Sequence, residues 1–200
     1  MMNHTALSPA ADDVIAIGSA LGMLHLRPER DEDAPFRFKL FCESRPAEFA
    51  LLQLDPAVFE QLMRFQFHAQ TVTYRANFPD ARFDIIERDR APIGRIVVNR
   101  PGTMLHIVDQ AIVPELRNRG LGTAIMKALM DEATRNGLPV RLKVASTNDP
   151  SMRLYRRLGF VPIRTEPLSI EMEWRAPAPG SQIRQIADIL RDQPPSASRR

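Results

Sequence analysis

The stretch LRNRGLGTAIMKALM, Leu116 to Met130, constrains this chain more than any other. It reads as a glycine-punctuated loop running straight into a helix, with Arg117, Gly120 and Gly122 in the pattern R-x-x-G-x-G. The first turn of a helix has no upstream carbonyls, so its N–H groups converge unpaired on one point. Gly120 and Gly122 let the backbone approach an anion with no Cβ in the way, and the helix dipole adds roughly 0.3–1 kcal/mol. Arg117 and Arg119 can add charge-assisted contacts from the rim. A phosphate suits such a junction, yet there is no G-x-G-x-x-G and no G-K-[ST] pair, which excludes the dinucleotide fingerprint and the P-loop.

At 200 residues the chain suits one domain. Its organisation reads as an N-terminal extension over 1–21, a domain over 22–175, and a linker and tail over 176–200. Ile183, Ile186, Ala187 and Leu190 of the tail form one short amphipathic segment that docks back or meets a partner. The single cysteine, Cys42, excludes an internal disulfide and a cysteine-built zinc site, so the expected compartment is the reducing cytoplasm. The apolar run from Val14 to Leu24 follows Asp12 and Asp13 instead of a basic region and is too short to span a bilayer. A net charge of +3, with four arginines against two aspartates in the tail, leaves little positive charge for nucleic acid. No nucleic acid, membrane or metal is expected, and a homodimer is compatible with the sequence.

In order, GMLHLRP reads as the first strand, and Asp31, Glu32 and Asp33 open a helix that tolerates Pro35 in its first turn. A second helix starts at Asp55-Pro56 and runs towards Tyr74, with Val58, Leu62, Phe65, Ala69 and Val72 as its core stripe. Gln66, His68, Gln70 and Tyr74 lie off that stripe, and Gln66, Gln70 and Tyr74 are candidates for an acceptor-binding wall. Residues 81–113 then read as three antiparallel strands, with the turns carried by Arg88 to Pro92 and by Arg100 to Thr103. The helix after the glycine loop ends at Asn136-Gly137 and buries Ile125, Ala128, Leu129 and Ala133. VRLKV is a strand, Thr147 to Leu158 holds a short helix, and Phe160 to Ile163 with Leu168 to Arg175 form a last hairpin. The class is α/β, a mixed and largely antiparallel sheet of about seven strands flanked by helices.

With these pieces set out, the chain resembles the GNAT superfamily of N-acetyltransferases from about Met23 to Arg175. AIVPELRNRGLG resembles that family's pyrophosphate loop. NDPSMRLYRRLGF resembles its N-x-x-A-x-x-L-Y-x-x-x-G-F element, in which Asn148, Leu154, Tyr155, Gly159 and Phe160 agree and Ser151 replaces the usual alanine. The resemblance implies a single GNAT-like domain that uses acetyl-CoA, held across a splayed strand pair ending at Val113 and Val144. It implies pairing of the pantetheine with Ile112 and Val113, and pyrophosphate contacts from Asn118, Arg119, Gly120, Leu121, Gly122 and Thr123, with Arg117 on the rim. It implies Asn148 along the pantetheine path and Tyr155 as the acid for the departing thiolate.

Acetyl transfer needs an oxyanion donor, expected near the amide of Val113, and a neutral nucleophile. A lysine-like amine with a pKa near ~10.4 is mostly protonated at pH 7, so a base is required. Many relatives carry a glutamate five residues before the asparagine, whereas this chain has Lys143. Asp109 is the first candidate base and His106 the second, and strand alternation predicts that they face opposite sides of the sheet. The expected acceptor is a primary amine of a small molecule or a protein. The alternative is a catalytically weak CoA-binding interaction module acting through its terminal segments.

Overall fold

The computed structural model describes residues 13–45 and 54–177. In chain order these form β1 (Ile15–Ser19), β2 (Gly22–Pro28), α1 (Ala34–Glu43), α2 (Pro56–Asn77), β3 (Arg82–Arg88), β4 (Ala91–Asn99), β5 (Leu105–Ile112), α3 (Leu121–Arg135), β6 (Val140–Ala145), α4 (Asp149–Arg157), β7 (Val161–Glu166) and β8 (Ser169–Trp174). The strands make one sheet in the order β1-β2-β3-β4-β5-β6-β8-β7. Eight strands stand where the sequence suggests about seven; the additional one, β1, lies inside the stretch 1–21. The apolar run from Val14 to Leu24 folds into a hairpin that turns at Ala20-Leu21, and Gly22 just after the turn takes a φ of 101° that suits glycine. The tail segment around Ile183 lies outside the described residues.

Local chemistry accounts for most boundaries. Asp55 caps α2 by accepting from Ala57 N at 2.8 Å, with Pro56 at the first helical position. Asp89 and Arg90 both take positive φ, the conformation a two-residue hairpin between right-twisted strands requires. Gly137 follows the end of α3 at φ 65°.

The sheet is covered on both faces. One side packs Leu24, Leu26, Ile86, Ile96, Val98, Leu105 and Ile107 against Leu121, Ile125, Met126, Leu129 and Ala133 of α3 and Met152 of α4. Ala128 is only half-buried. The other side meets α1 and α2, where Phe67 stacks against Phe38 and Phe41 at 5.6 and 5.5 Å and Arg75 lies over Phe83 of β3.

The face that α2 turns inward differs from the expected one. Met63 is fully buried, and Gln66, Phe67, Gln70, Thr71 and Tyr74 are half-buried beside it. Val58, Phe65 and Val72 stand 51%, 72% and 53% exposed. Periodicity alone selects the purely apolar stripe, but this helix walls a polar cleft and turns its mixed aromatic and amide stripe towards it.

Candidate functional site in the splay between two parallel strands

β5 and β6 are the parallel pair, and they are in register only from Leu105↔Val140 to Ile107↔Leu142. Beyond that point β5 stays on β4 while β6 stays on β8, so a wedge opens between them. The backbone lining it follows from the ladder. Val113 donates its N–H to Ile93 O at 2.9 Å, which makes Gly94 and Ile112 a non-hydrogen-bonded pair. The amide and carbonyl of Ile112 therefore point away from β4 into the wedge. The amide of Val113, the expected oxyanion donor, is already engaged, and Ile112 N–H is the donor the cleft holds.

At the mouth, a tight turn over Pro114–Leu116 leads to Asn118 at φ 59° and Gly120 at φ 82°. Gly120 is the N-cap residue of α3, and Ala124 N donates to its carbonyl, so the amides of Leu121, Gly122 and Thr123 precede the first intrahelical bond. A Cβ added at Gly120 would meet nothing within 4 Å, which describes an open cradle above the helix start. Arg117 does not reach towards that cradle. Its Nε donates to Ile112 O at 2.9 Å and its Nη2 to Glu43 O at 3.1 Å, tying the loop to β5 and to the end of α1. Arg119 is exposed. Beside the loop, a pocket of about 600 Å³ runs between Ala16–Ala20 and Gly120, Thr123, Ala124 and Lys127 of α3. Beneath the loop, Nε2 of Gln110 is buried without a hydrogen-bond partner among the described residues.

Deeper in the wedge three titratable groups from three elements converge. Asp109 of β5 keeps 27% of its side chain exposed and receives Arg95 Nη1 at 3.3 Å. Burial holds its carboxyl above the usual carboxylate range, although Arg95, Arg45 and the Gln110 amide pull the other way. Tyr155 of α4 packs against Phe160 at 5.7 Å. Its hydroxyl is pushed up to about 12, chiefly by burial and next by the charge of Asp109, while Ser151 lowers it. Tyr74 of α2 is likewise pushed up to about 12 by burial and then by Asp109, and its hydroxyl accepts from Gln70 Nε2 at 3.2 Å. The splay is what lets a side chain from α4 on one face and one from α2 on the other sense the same carboxylate.

His106 sits on the same side of the sheet as Asp109, not on the opposite one. The register runs Val97↔Asp109, Val98↔Ile107 and Asn99↔His106, so Val108 has no partner. That one extra residue shifts the alternation, and Asp109 and His106 oppose Val97 and Asn99, which share a face. His106 stacks edge-on against Phe78 at 5.2 Å, and burial lowers its pKa. Asn148 is exposed and caps α4, its Oδ1 accepting from Ser151 N at 3.2 Å. Lys143 pairs with Glu166 at 2.7 Å on the surface. Gln66 is half-buried on the inward side of α2.

Two residues absent from the sequence reading anchor this site. Arg95 is 5% exposed, and Glu29 binds it while also holding Arg37 and Arg75. Arg95 interrupts the apolar run IGRIVV, which is a signal for a partnered buried charge. Glu29, in a loop after Pro28, carries no such signal. Among the described residues no group of three or more His, Cys, Asp or Glu side chains could hold a metal ion.

Solved structures share this architecture. An N-acetyltransferase, PaiA, from Thermoplasma acidophilum in complex with coenzyme A superposes with a TM-score of 0.58 at 19% identity, covering 76% of this chain and 99% of that one. An acetyltransferase from Thermus thermophilus gives 0.56 at 20% identity, covering 81% of this chain and all of the other. At such identities the likeness speaks to the fold. Among curated proteins, an N-alpha-acetyltransferase of Sulfurisphaera tokodaii is 34% identical over 61 residues, 30% of this chain and 36% of that protein. A mycothiol acetyltransferase of Acidimicrobium ferrooxidans is 32% identical over 107 residues, 50% of this chain and 34% of that protein. The chain thus spans about a third of the length of these curated relatives. The model of the Acetyltransferase (GNAT) family matches residues 39–160, more than half of the chain. Because that match runs through both strands of the wedge, the glycine loop and the tyrosine helix, the chain belongs to the GNAT acetyltransferase family.

Proposed function

We propose that this protein transfers an acetyl group from acetyl-CoA to a primary amine of a small molecule or a protein. The observation that carries this reading is the convergence of Asp109, Tyr155 and the Ile112 amide in one wedge, below unpaired helix amides. The residues fit the donor. The amides of Leu121, Gly122 and Thr123 and the open cradle at Gly120 suit a pyrophosphate, and the Ile112 N–H that points into the wedge suits the thioester carbonyl. Ile112, Val113 and the Asn118–Thr123 loop are accordingly the proposed contacts, with Arg117 holding the loop's shape and Asn148 the start of α4. When bound, acetyl-CoA supplies a thioester whose carbonyl carbon accepts the amine and whose sulfur leaves as a thiolate.

Asp109 takes the proton that the amine loses as its bond to carbon forms, directly or through a water. Its raised pKa makes it a stronger base than a solvated carboxylate. The Ile112 amide faces the oxygen on which negative charge develops. Tyr155 holds its proton at neutral pH and presents it to the sulfur. A transfer from a phenol near about 12 to a thiolate near ~8.5 runs uphill, so it needs help. Protonation of Asp109 removes one of the two causes that raise Tyr155, and the acid is therefore strengthened once the base has done its part. Tyr74, Gln70 and Gln66 wall the amine's approach from α2.

The test is an acetyl-CoA titration by calorimetry with Gly120→Asp as control, followed by thiol release with a diamine, a polyamine and peptides bearing free α-amino groups. Binding that disappears in Gly120→Asp and turnover with one amine class support the reading. Absence of binding by the intact chain sinks it.

A further inference from the structure

Arg95 is a single buried cation held between two carboxylates. Its Nε reaches Glu29 Oε2 at 3.1 Å, its Nη1 reaches Asp109 Oδ2 at 3.3 Å, and its Nη2 is buried without a partner among the described residues. The Asp109 contact is longer than the ~2.7–2.9 Å usual for such charge-assisted bonds. On the far side, the side chain of Glu29 is 3% exposed and collects Arg37 of α1 at 2.9 Å and Arg75 of α2 as well as Arg95 of β4. We propose that Glu29 is a positioning residue that holds Arg95 back from Asp109 and so keeps Asp109 basic. This rests on the reading of Asp109 as the base.

The electrostatics around the pair are closed enough to give a sign. Asp109 faces Arg95 from β4, Arg45 from the end of α1, Tyr74 from α2 and Tyr155 from α4. Glu29 faces Arg37, Arg75 and Arg95, with Asp84 of β3 adding a like charge nearby. Removing the charge of Glu29 leaves Arg37 and Arg75 uncompensated on that side, and Arg95 is then free to close on Asp109. Both effects favour the carboxylate of Asp109 and weaken it as a base. Removing the charge of Arg95 does the opposite.

The experiment is a ¹³C carboxyl titration of the full chain without acetyl-CoA, with the Asp109 signal assigned by its loss in Asp109→Asn. In Glu29→Gln the Asp109 midpoint should fall by roughly one pH unit, in Glu29→Asp it should recover, and in Arg95→Met it should rise. Arg95→Met is close in shape and keeps the test alive if Glu29→Gln does not fold. Turnover with the amine found by thiol release should follow the same order in its acid limb. Midpoints unmoved in both Glu29→Gln and Arg95→Met overturn the proposal while leaving Asp109 as base. An unaltered pH–rate profile in Asp109→Asn overturns the base assignment, and this proposal with it.

Discussion

Gly94 offers a direct way to move β5. It lies opposite Ile112, and a Cβ placed on it would stand 2.5 Å from the carbonyl oxygen of Ala111, 2.9 Å from Ile112 Cδ1 and 3.1 Å from Ile86 Cδ1. The two side-chain atoms can turn aside, whereas the carbonyl belongs to the β4–β5 ladder. Restoring an ordinary C···O contact of ~3.3 Å demands that β5 shift by roughly 0.8 Å. The shift carries the Ile112 amide and Asp109 with it. Overpacking of this kind costs about 1–3 kcal/mol, and for a chain of this length each kcal/mol lowers Tm by roughly 2–4 °C. Gly94→Ala should therefore melt about 2–12 °C lower by calorimetry. Displacement of the reacting groups by nearly 1 Å should cost up to ~10²-fold in kcat/KM, read by thiol release. Gly122→Ala is the control for folding, since its Cβ would sit 3.6 Å from Leu154 Cδ2 and 3.7 Å from Gln110 Nε2, ordinary contacts. A Gly94→Ala protein with wild-type Tm and turnover would refute the reasoning, because the ladder would then have absorbed the clash without moving the site.

Two further outcomes follow from the geometry. Tyr155→Phe should leave the Kd for acetyl-CoA within a few-fold and lower kcat by about 10²-fold or more, as expected for a group acting in the transition state; equal turnover would remove the acid from the scheme. Asn148→Ala should lower stability by about 1 kcal/mol, roughly 2–4 °C in Tm, through loss of the α4 cap. A Tm unchanged in that variant would show that the Asn148–Ser151 bond contributes nothing to the helix.

The parts of this molecule governed by local rules could be read directly from the residues. Asp55-Pro56, Gly120 and Gly137 each favour a particular backbone geometry, and the elements begin or end where they stand. The loop, the tyrosine helix and the order of strands follow from such signals. What escaped depends on pairing between distant segments. β1 has only five residues and needs β2 and α3 to bury Ile17. The inward face of α2 is decided by the cleft it walls, so an apolar stripe misleads there. The amide of Val113 is spent on Ile93, and Arg95 is shared between Glu29 and Asp109, facts that no spacing within one segment records.

Val108 illustrates how little sequence separates two different chemistries. As the unpaired residue of β5, it sets the parity of every side chain from Asp109 to Ile112 relative to Leu105–Ile107. Without the bulge Asp109 would stand opposite Ile96, among the aliphatic side chains packed under α3, whereas loss of Val108 itself would leave Asp109 opposite Val97 and only straighten the strand. The bulge therefore decides which side chains of β5 enter the wedge, without rebuilding a helix or altering the glycine loop.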